Sequence, residues 1–188
     1  MKILGGMFRG RNFFMPADIR PTQDVVRKAI FDTIGQHLEG FTFLDLFAGS
    51  GALGLEAVSR GAKRVLFVEK DPLCVRTINE NLVALDAKYQ DYSAYSFFVM
   101  NTDAFLAVKD LHNRKEKFDI IFADPPFDVE LAKKILKLLS AYDIVHPNSL
   151  LITQHGKREI LPEVEGRFSR VRERRYGTSR VSIYKSQE

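Results

Sequence analysis

From residue 40 onward the chain alternates between two hydrophobic periods. Short continuous apolar runs at 41–47, 64–69, 96–100, 117–123 and 149–153 predict strands covered on both faces. Between them, segments 53–60, 72–85, 104–112 and 130–141 repeat apolar residues at helical spacing. Pro72 opens the second of these helices, Gly61 closes the first, and Leu131, Ile135, Leu138 and Leu139 share one face of the last. Ahead of this region, Val25/Val26, Ala29/Ile30 and Thr33/Ile34 predict a helix up to Gly35, with Thr22 as its N-cap and Asp24 in its first turn. Residues 1–14 read as a short hairpin punctuated by Gly5-Gly6 and Arg9-Gly10-Arg11, and 16–21 as a connector. At the other end, 168–173 and 180–184, joined through Tyr176-Gly177-Thr178, predict a closing antiparallel hairpin.

Strands alternating with helices imply a parallel sheet with helices on both faces. The expectation is therefore an α/β chain forming a single Rossmann-like domain over 1–188. A mostly parallel seven-stranded sheet with an antiparallel C-terminal hairpin fills 22–188, and 1–21 adds an N-terminal β-hairpin extension.

Composition narrows the class without fixing the chemistry. With 188 residues, 45% hydrophobic and 28% charged, the chain can bury one substantial core. No apolar run approaches the roughly 20 residues of a membrane span, and residues 1–6 lack the apolar stretch of a signal peptide. No membrane association is expected. A lone cysteine, Cys74, excludes an intrachain disulfide and fits a reducing, cytoplasmic setting; it reads as core or spacer. The four histidines show no metal-ligand spacing, so no metal is expected. The net charge of +4 is unevenly spread. Residues 1–28 hold six Lys/Arg against two Asp/Glu, and 157–188 hold nine against five, while the segment between is acidic. Basic blocks at both ends suggest a polyanion partner.

The chemistry sits at predicted strand ends. Asp45-Leu46-Phe47-Ala48-Gly49-Ser50-Gly51-Ala52-Leu53-Gly54 joins the first strand to its helix and holds a Gly-x-Gly-x-x-Gly pattern. Glu69 ends the second strand, where an acid accepts from ribose hydroxyls. Asp45 before the glycine turn would repel a pyrophosphate and attract a cationic amino-acid moiety, which fits S-adenosyl-L-methionine better than a nicotinamide dinucleotide. Asp103, after the third strand, could accept from an adenine amine or cap the next helix. After the fourth strand comes Asp124-Pro125-Pro126-Phe127. Its prolines lack N–H donors, so turn carbonyls are free to accept. With the carboxylate and the ring, the turn could hold the NH₂ of a planar base, or simply end a strand.

These motifs resemble the class I methyltransferase fold. The glycine loop resembles its first motif, Glu69 its ribose acid and Asp103 its adenine contact. Asp124-Pro125-Pro126-Phe127 resembles the (Asn/Asp)-Pro-Pro-(Tyr/Phe) motif of amino methyltransferases. Gly5-Gly6-x-x-Arg9-Gly10-Arg11, Arg20-Pro21-Thr22, Val26-Arg27-x-Ala29-Ile30-Phe31 and Tyr176-Gly177-x-Ser179 narrow the resemblance to the RsmD-like family, guanine-N2 methyltransferases of small-subunit (16S) ribosomal RNA. One departure is Asn12-Phe13-Phe14, where the family often has a leucine.

The resemblance implies a cofactor set of Asp45, Phe47, Gly49, Gly51, Glu69, Asp103 and Ala104 for S-adenosyl-L-methionine. It implies a catalytic set of Asp124, Pro125, Pro126 and Phe127. Arg9, Arg11, Arg20 and Arg27 are the expected RNA contacts, within a small-subunit ribonucleoprotein particle and with a monomer as the default assembly. A DNA adenine-N6 methyltransferase and a non-catalytic Rossmann-type binding module are the competing readings.

Overall fold

The computed structural model describes residues 1–16, 22–86, 96–126 and 130–187. Helix α1 (Asp24–Ile34) leads into β1 (Thr42–Leu46), α2 (Ala52–Ser59), β2 (Arg64–Glu69), α3 (Pro72–Asp86) and β3 (Ser96–Asn101). The alternation continues through α4 (Ala104–Asn113), β4 (Phe118–Ala123), α5 (Leu131–Ala141) and β5 (Val145–Gly156). The short strand β6 (Val164–Glu165), β7 (Phe168–Tyr176) and β8 (Ser179–Ser186) complete the chain.

Among the described residues the sheet has eight strands in the order β3-β2-β1-β4-β5-β8-β7-β6. β3 to β5 pair in parallel, as the strand–helix alternation implies, and β8, β7 and β6 add antiparallel. The eighth strand corrects the expected seven: β6 has two residues, too short to show a period.

Strand side chains alternate between two apolar layers. Phe43, Val65, Phe67, Ile120, Phe122, Ile152, Val181 and Ile183 pack with α1, α2 and α3. Leu44, Leu46, Leu66, Val68, Ile121, Ala123 and Leu151 pack with α4 and α5. A sheet covered on both faces explains why its strands read as continuous apolar runs.

The N-terminal extension is not the expected β-hairpin. Its strand pairing is limited to an isolated antiparallel bridge, Lys2 with Asn12. Ile3 N–H donates to Arg11 O at 2.9 Å, Gly10 N–H to Ile3 O at 2.8 Å and Phe13 N–H to Met1 O at 2.9 Å, so the two arms meet, but the stretch between them bonds α2 and no continuous ladder forms. Met7 N–H donates to Ser59 O at 2.7 Å, Phe8 N–H to Ser59 Oγ at 3.0 Å, and Leu4 N–H to the Glu56 carboxylate. Ile3, Phe8 and Phe13 turn inward and join the core. The segment is a loop moulded onto the C-terminal end of α2.

From β1 the chain runs outward through β2 to β3, then crosses to β4 on β1's other side. The carboxyl ends of β1 and β4 therefore flank the point where strand order reverses, the usual ligand crevice of an open α/β sheet.

Candidate active site

The turn after β1 passes through the left-handed region at Phe47 (φ 60°), Gly49 (φ 54°) and Gly51 (φ 79°). Two of these are glycines, which meet no Cβ penalty; Phe47 is the strained position. Gly54 has a different role. A Cβ there would lie 2.1 Å from Phe67 Cε1, so the third glycine of the pattern seats α2 against β2.

Two amides of this loop are already engaged by carboxylates. Gly49 N–H donates to Glu69 Oε2 and Gly54 N–H to Asp45 Oδ2, each at 2.8 Å. The other Glu69 oxygen accepts from the N–H groups of Lys70 and Asp71. Burial of Asp45 outweighs its bond to Gly54, and repulsion from Asp124 and Glu69 adds to it, so its carboxyl is pushed up to about 8. Asp103 caps α4, accepting from Phe105 N–H at 2.8 Å through Oδ1. Its Oδ2 has no hydrogen bond among the described residues. Ala104, buried, is the first residue of that helix.

Register places Ala123 beside Leu46, so Asp124 emerges next to the glycine turn. Its Oδ2 accepts a 2.9 Å hydrogen bond from the Thr22 hydroxyl. Burial pushes the Asp124 carboxyl up to about 7, opposed by that hydroxyl. Pro125 is buried and Pro126 exposed; Phe127 lies outside the described residues. The expected N-cap role of Thr22 is corrected here. Gln23 is the N-cap of α1 and makes no side-chain cap bond, while Thr22 lies one residue earlier and its hydroxyl donates to Asp124. One strand further, Gln154 at the end of β5 is nine-tenths buried, with its amide oxygen unpartnered among the described residues.

These strand ends enclose a cavity of about 730 Å³, within the range of small-molecule sites. It is lined by Asp45, Phe47, Gly49, Glu69, Asp103 and Ala104 on one side and by Thr22, Asp124, Pro125, Pro126 and Gln154 on the other. Residues 176–179 of the β7–β8 turn close it. Thr22 and Gln154 escaped the sequence reading. The available signals were the Arg20-Pro21-Thr22 signature and the polar pair Thr153-Gln154 ending an apolar strand.

The basic residues behave differently. Arg27 is 0% exposed and cannot touch RNA. It donates to Asp24 at 2.8 Å, to the Lys2 carbonyl at 2.8 Å and to Glu56 at 3.3 Å, tying α1 to α2 and the N-terminal loop. Arg9 is exposed and Arg11 half-buried, its guanidinium 5.5 Å from the Phe8 ring. Both belong to the loop at the far end of α2, whose rise separates it from the cavity by roughly 12 Å. Arg20 lies outside the described residues.

The site can discriminate chemically. Two amides that could cradle a phosphate are held by acids, and the cavity wall carries Asp45, Glu69, Asp103 and Asp124. Such a wall disfavours a pyrophosphate and favours a ligand with a cationic centre.

Comparisons with known proteins agree with this geometry. A family model described as Conserved hypothetical protein 95 matches residues 1–185. YlbH of Bacillus subtilis (strain 168) is 34% identical over 187 residues, covering 98% of each chain. Ribosomal RNA small subunit methyltransferase D of Escherichia coli (strain K12) is 33% identical over 189 residues, covering 98% of this chain and 89% of its own. A solved structure of yhhF from Escherichia coli superposes with a TM-score of 0.83 at 30% identity, covering 100% of this chain and 98% of that one.

Proposed function

The chain belongs to the RsmD-like family of S-adenosylmethionine-dependent methyltransferases, and from that premise we propose that it methylates the exocyclic N2 amine of a guanine in small-subunit ribosomal RNA. The observation that carries this reading is the placement of Asp124 and the Pro125 turn in the same cavity as the acid-lined glycine loop.

The donor set fits the cofactor. Glu69 and Asp103 would hold its ribose and adenine, Phe47, Gly49, Gly51 and Ala104 would shape its bed, and the Asp45 carboxylate would face its cationic amino-acid end. When bound, the cofactor supplies an electrophilic methyl group on a sulfonium. Guanine N2 is a weak nucleophile because its lone pair is delocalised into the ring. Asp124 and the Pro125 carbonyl would accept its two N–H bonds and favour a pyramidal nitrogen. Phe127 would stack on the base. Thr22 would hold the Asp124 carboxyl in place and favour its ionised form against the burial that opposes it. Asp124 and the Pro125 carbonyl would keep the lone pair of that nitrogen toward the methyl group the cofactor would supply, and the proton shed on methylation would pass to the Asp124 carboxylate or to solvent. Positioning and exclusion of water supply most of the acceleration. A base in folded RNA must be unstacked to enter.

Asp124→Ala is expected to lose transfer of labelled methyl groups to small ribosomal subunits, with the cofactor dissociation constant from titration calorimetry within about twofold of wild type. Near-wild-type turnover would remove Asp124 from the chemistry. Transfer into DNA, with none into ribosomal RNA, would replace guanine in RNA by adenine in DNA as the acceptor.

A further inference from the structure

We infer that the RNA substrate lays its phosphates on the tip of the β7–β8 hairpin and the adjoining turn after β5, through Lys157, Arg158, Arg174 and Arg175. The inference rests on the RNA-modifying reading above and assigns its docking face, which the N-terminal arginines were expected to provide.

The cations of this protein sort by whether the fold has already neutralised them. Arg167 pairs with Asp143 at 3.0 Å, Arg180 with Glu173 at 2.9 Å, and Arg170 with Glu163 and Glu173. Arg27 and Arg60 close on the buried Glu56. Lys157, Arg158, Arg174 and Arg175 are exposed, and among the described residues none pairs with a carboxylate. Arg175 makes one bond, from Nε to the Gly177 carbonyl at 3.2 Å, which folds its side chain over the hairpin tip without cancelling its charge. Arg172 likewise meets a neutral partner, the Thr33 hydroxyl at 3.2 Å. Of the nearby acids, Glu173 serves Arg170 and Arg180, while Glu159 accepts only from the neutral Lys133 N–H at the start of α5 and is a single negative charge beside the four cations.

Position then selects the partner. Gly177 and Thr178, at the hairpin tip, line the cavity mouth. Lys157 N–H donates to the Thr178 carbonyl at 3.0 Å, fastening the turn after β5 to that tip. Arg175 pairs in register with Arg180, one step before the Tyr176–Ser179 pair that closes the hairpin. Lys157 and Arg175 therefore adjoin the turn that closes the cavity, with Arg158 and Arg174 next to them in the chain, outside the cavity lining itself. Phosphates on either side of an extruded nucleotide present their charge at that point, and contacts of this kind set register without reading sequence. Arg9 and Arg11 lie one helix length away.

The test uses the full chain and small ribosomal subunits from a strain lacking this methyltransferase, with labelled S-adenosylmethionine. For K157Q/R158Q/R174Q/R175Q, KM for the particle is expected to rise about tenfold or more. The slope of log KM against log salt should fall by up to roughly 3, since each lost phosphate contact removes about 0.7. The cofactor dissociation constant, which also reports folding, is expected to hold. A charge-keeping R158K/R174K/R175K variant retains the slope. A wild-type KM and slope in the quadruple variant overturn the inference, as does a larger loss of slope in R9Q/R11Q. Absence of transfer by the wild-type chain to any ribosomal particle sinks the RNA reading itself.

Discussion

A carboxyl that must accept hydrogen bonds works in its ionised form, and burial at Asp124 opposes ionisation. The Thr22 hydroxyl pulls the other way by donating to Oδ2 at 2.9 Å. Removing that donor leaves the desolvation and takes away the compensation, so the Asp124 pKa should climb further. Thr22→Val is expected to move the acid limb of the kcat/KM profile upward by about one pH unit, a bond to a charged group being strong enough for that. Activity should recover toward wild type at higher pH, and Thr22→Ser should keep the original limb. A loss of equal size at every pH would mean that Thr22 only supports the fold. At this scale the acids were legible, because strand-end carboxylates in an apolar run have few structural reasons to be there. Thr22 was not. Its partner lies 102 residues away, and a Thr before a helix carries the same local signature whether it caps that helix or reaches across the cavity.

The elements are held in place by a buried charge cluster that the sequence disguises as surface. Arg27 and Arg60 converge on Glu56, and all three side chains are nearly or fully buried. Arg27 also rests beside the Phe13 ring, 5.7 Å from its centroid, and Arg60 beside Phe31 at 4.5 Å. Arg27→Met keeps most of the volume but leaves Glu56 with a single cation. Breaking a buried pair on one side costs about 3–5 kcal/mol, and the surviving Arg60 places this case near the lower end. Urea unfolding should show the loss in midpoint. An unchanged midpoint, together with weakened RNA binding, would return Arg27 to the substrate face. The strand and helix periods were readable because the helices cover both faces of one sheet, α1 to α3 on one side and α4 and α5 on the other. The N-terminal hairpin was misjudged for a physical reason. Gly5-Gly6 and Gly10 give the same turn signals in a hairpin and in a loop, and the choice is made by α2, whose end supplies the acceptors.

Over the whole molecule, stability and ligand binding meet in the same acidic cavity. Asp45 and Asp124 have folded pKa values of about 8 and about 7, above their ordinary value of 3.8. The folded chain therefore keeps protons that the unfolded chain has lost. That contribution is fully present below about pH 4 and is lost as pH rises through about 7 and then 8. With one pKa unit equal to 1.36 kcal/mol, Asp45 alone accounts for a change on the order of several kcal/mol. Thermal unfolding of the unliganded protein should show stability falling across that window. Asp45→Asn, which retains an acceptor for Gly54 N–H, should flatten the fall. A cationic ligand reverses the balance by favouring the ionised carboxylates. Cofactor affinity should consequently tighten as pH rises toward about 8, and binding near pH 7 should release protons, measurable by calorimetry in buffers of different ionisation enthalpy. Both effects should shrink in Asp45→Asn. Proton uptake on binding, or an affinity that does not change with pH, would show that Asp45 does not face the cofactor's charge and that the acidic wall serves only to shape the glycine turn.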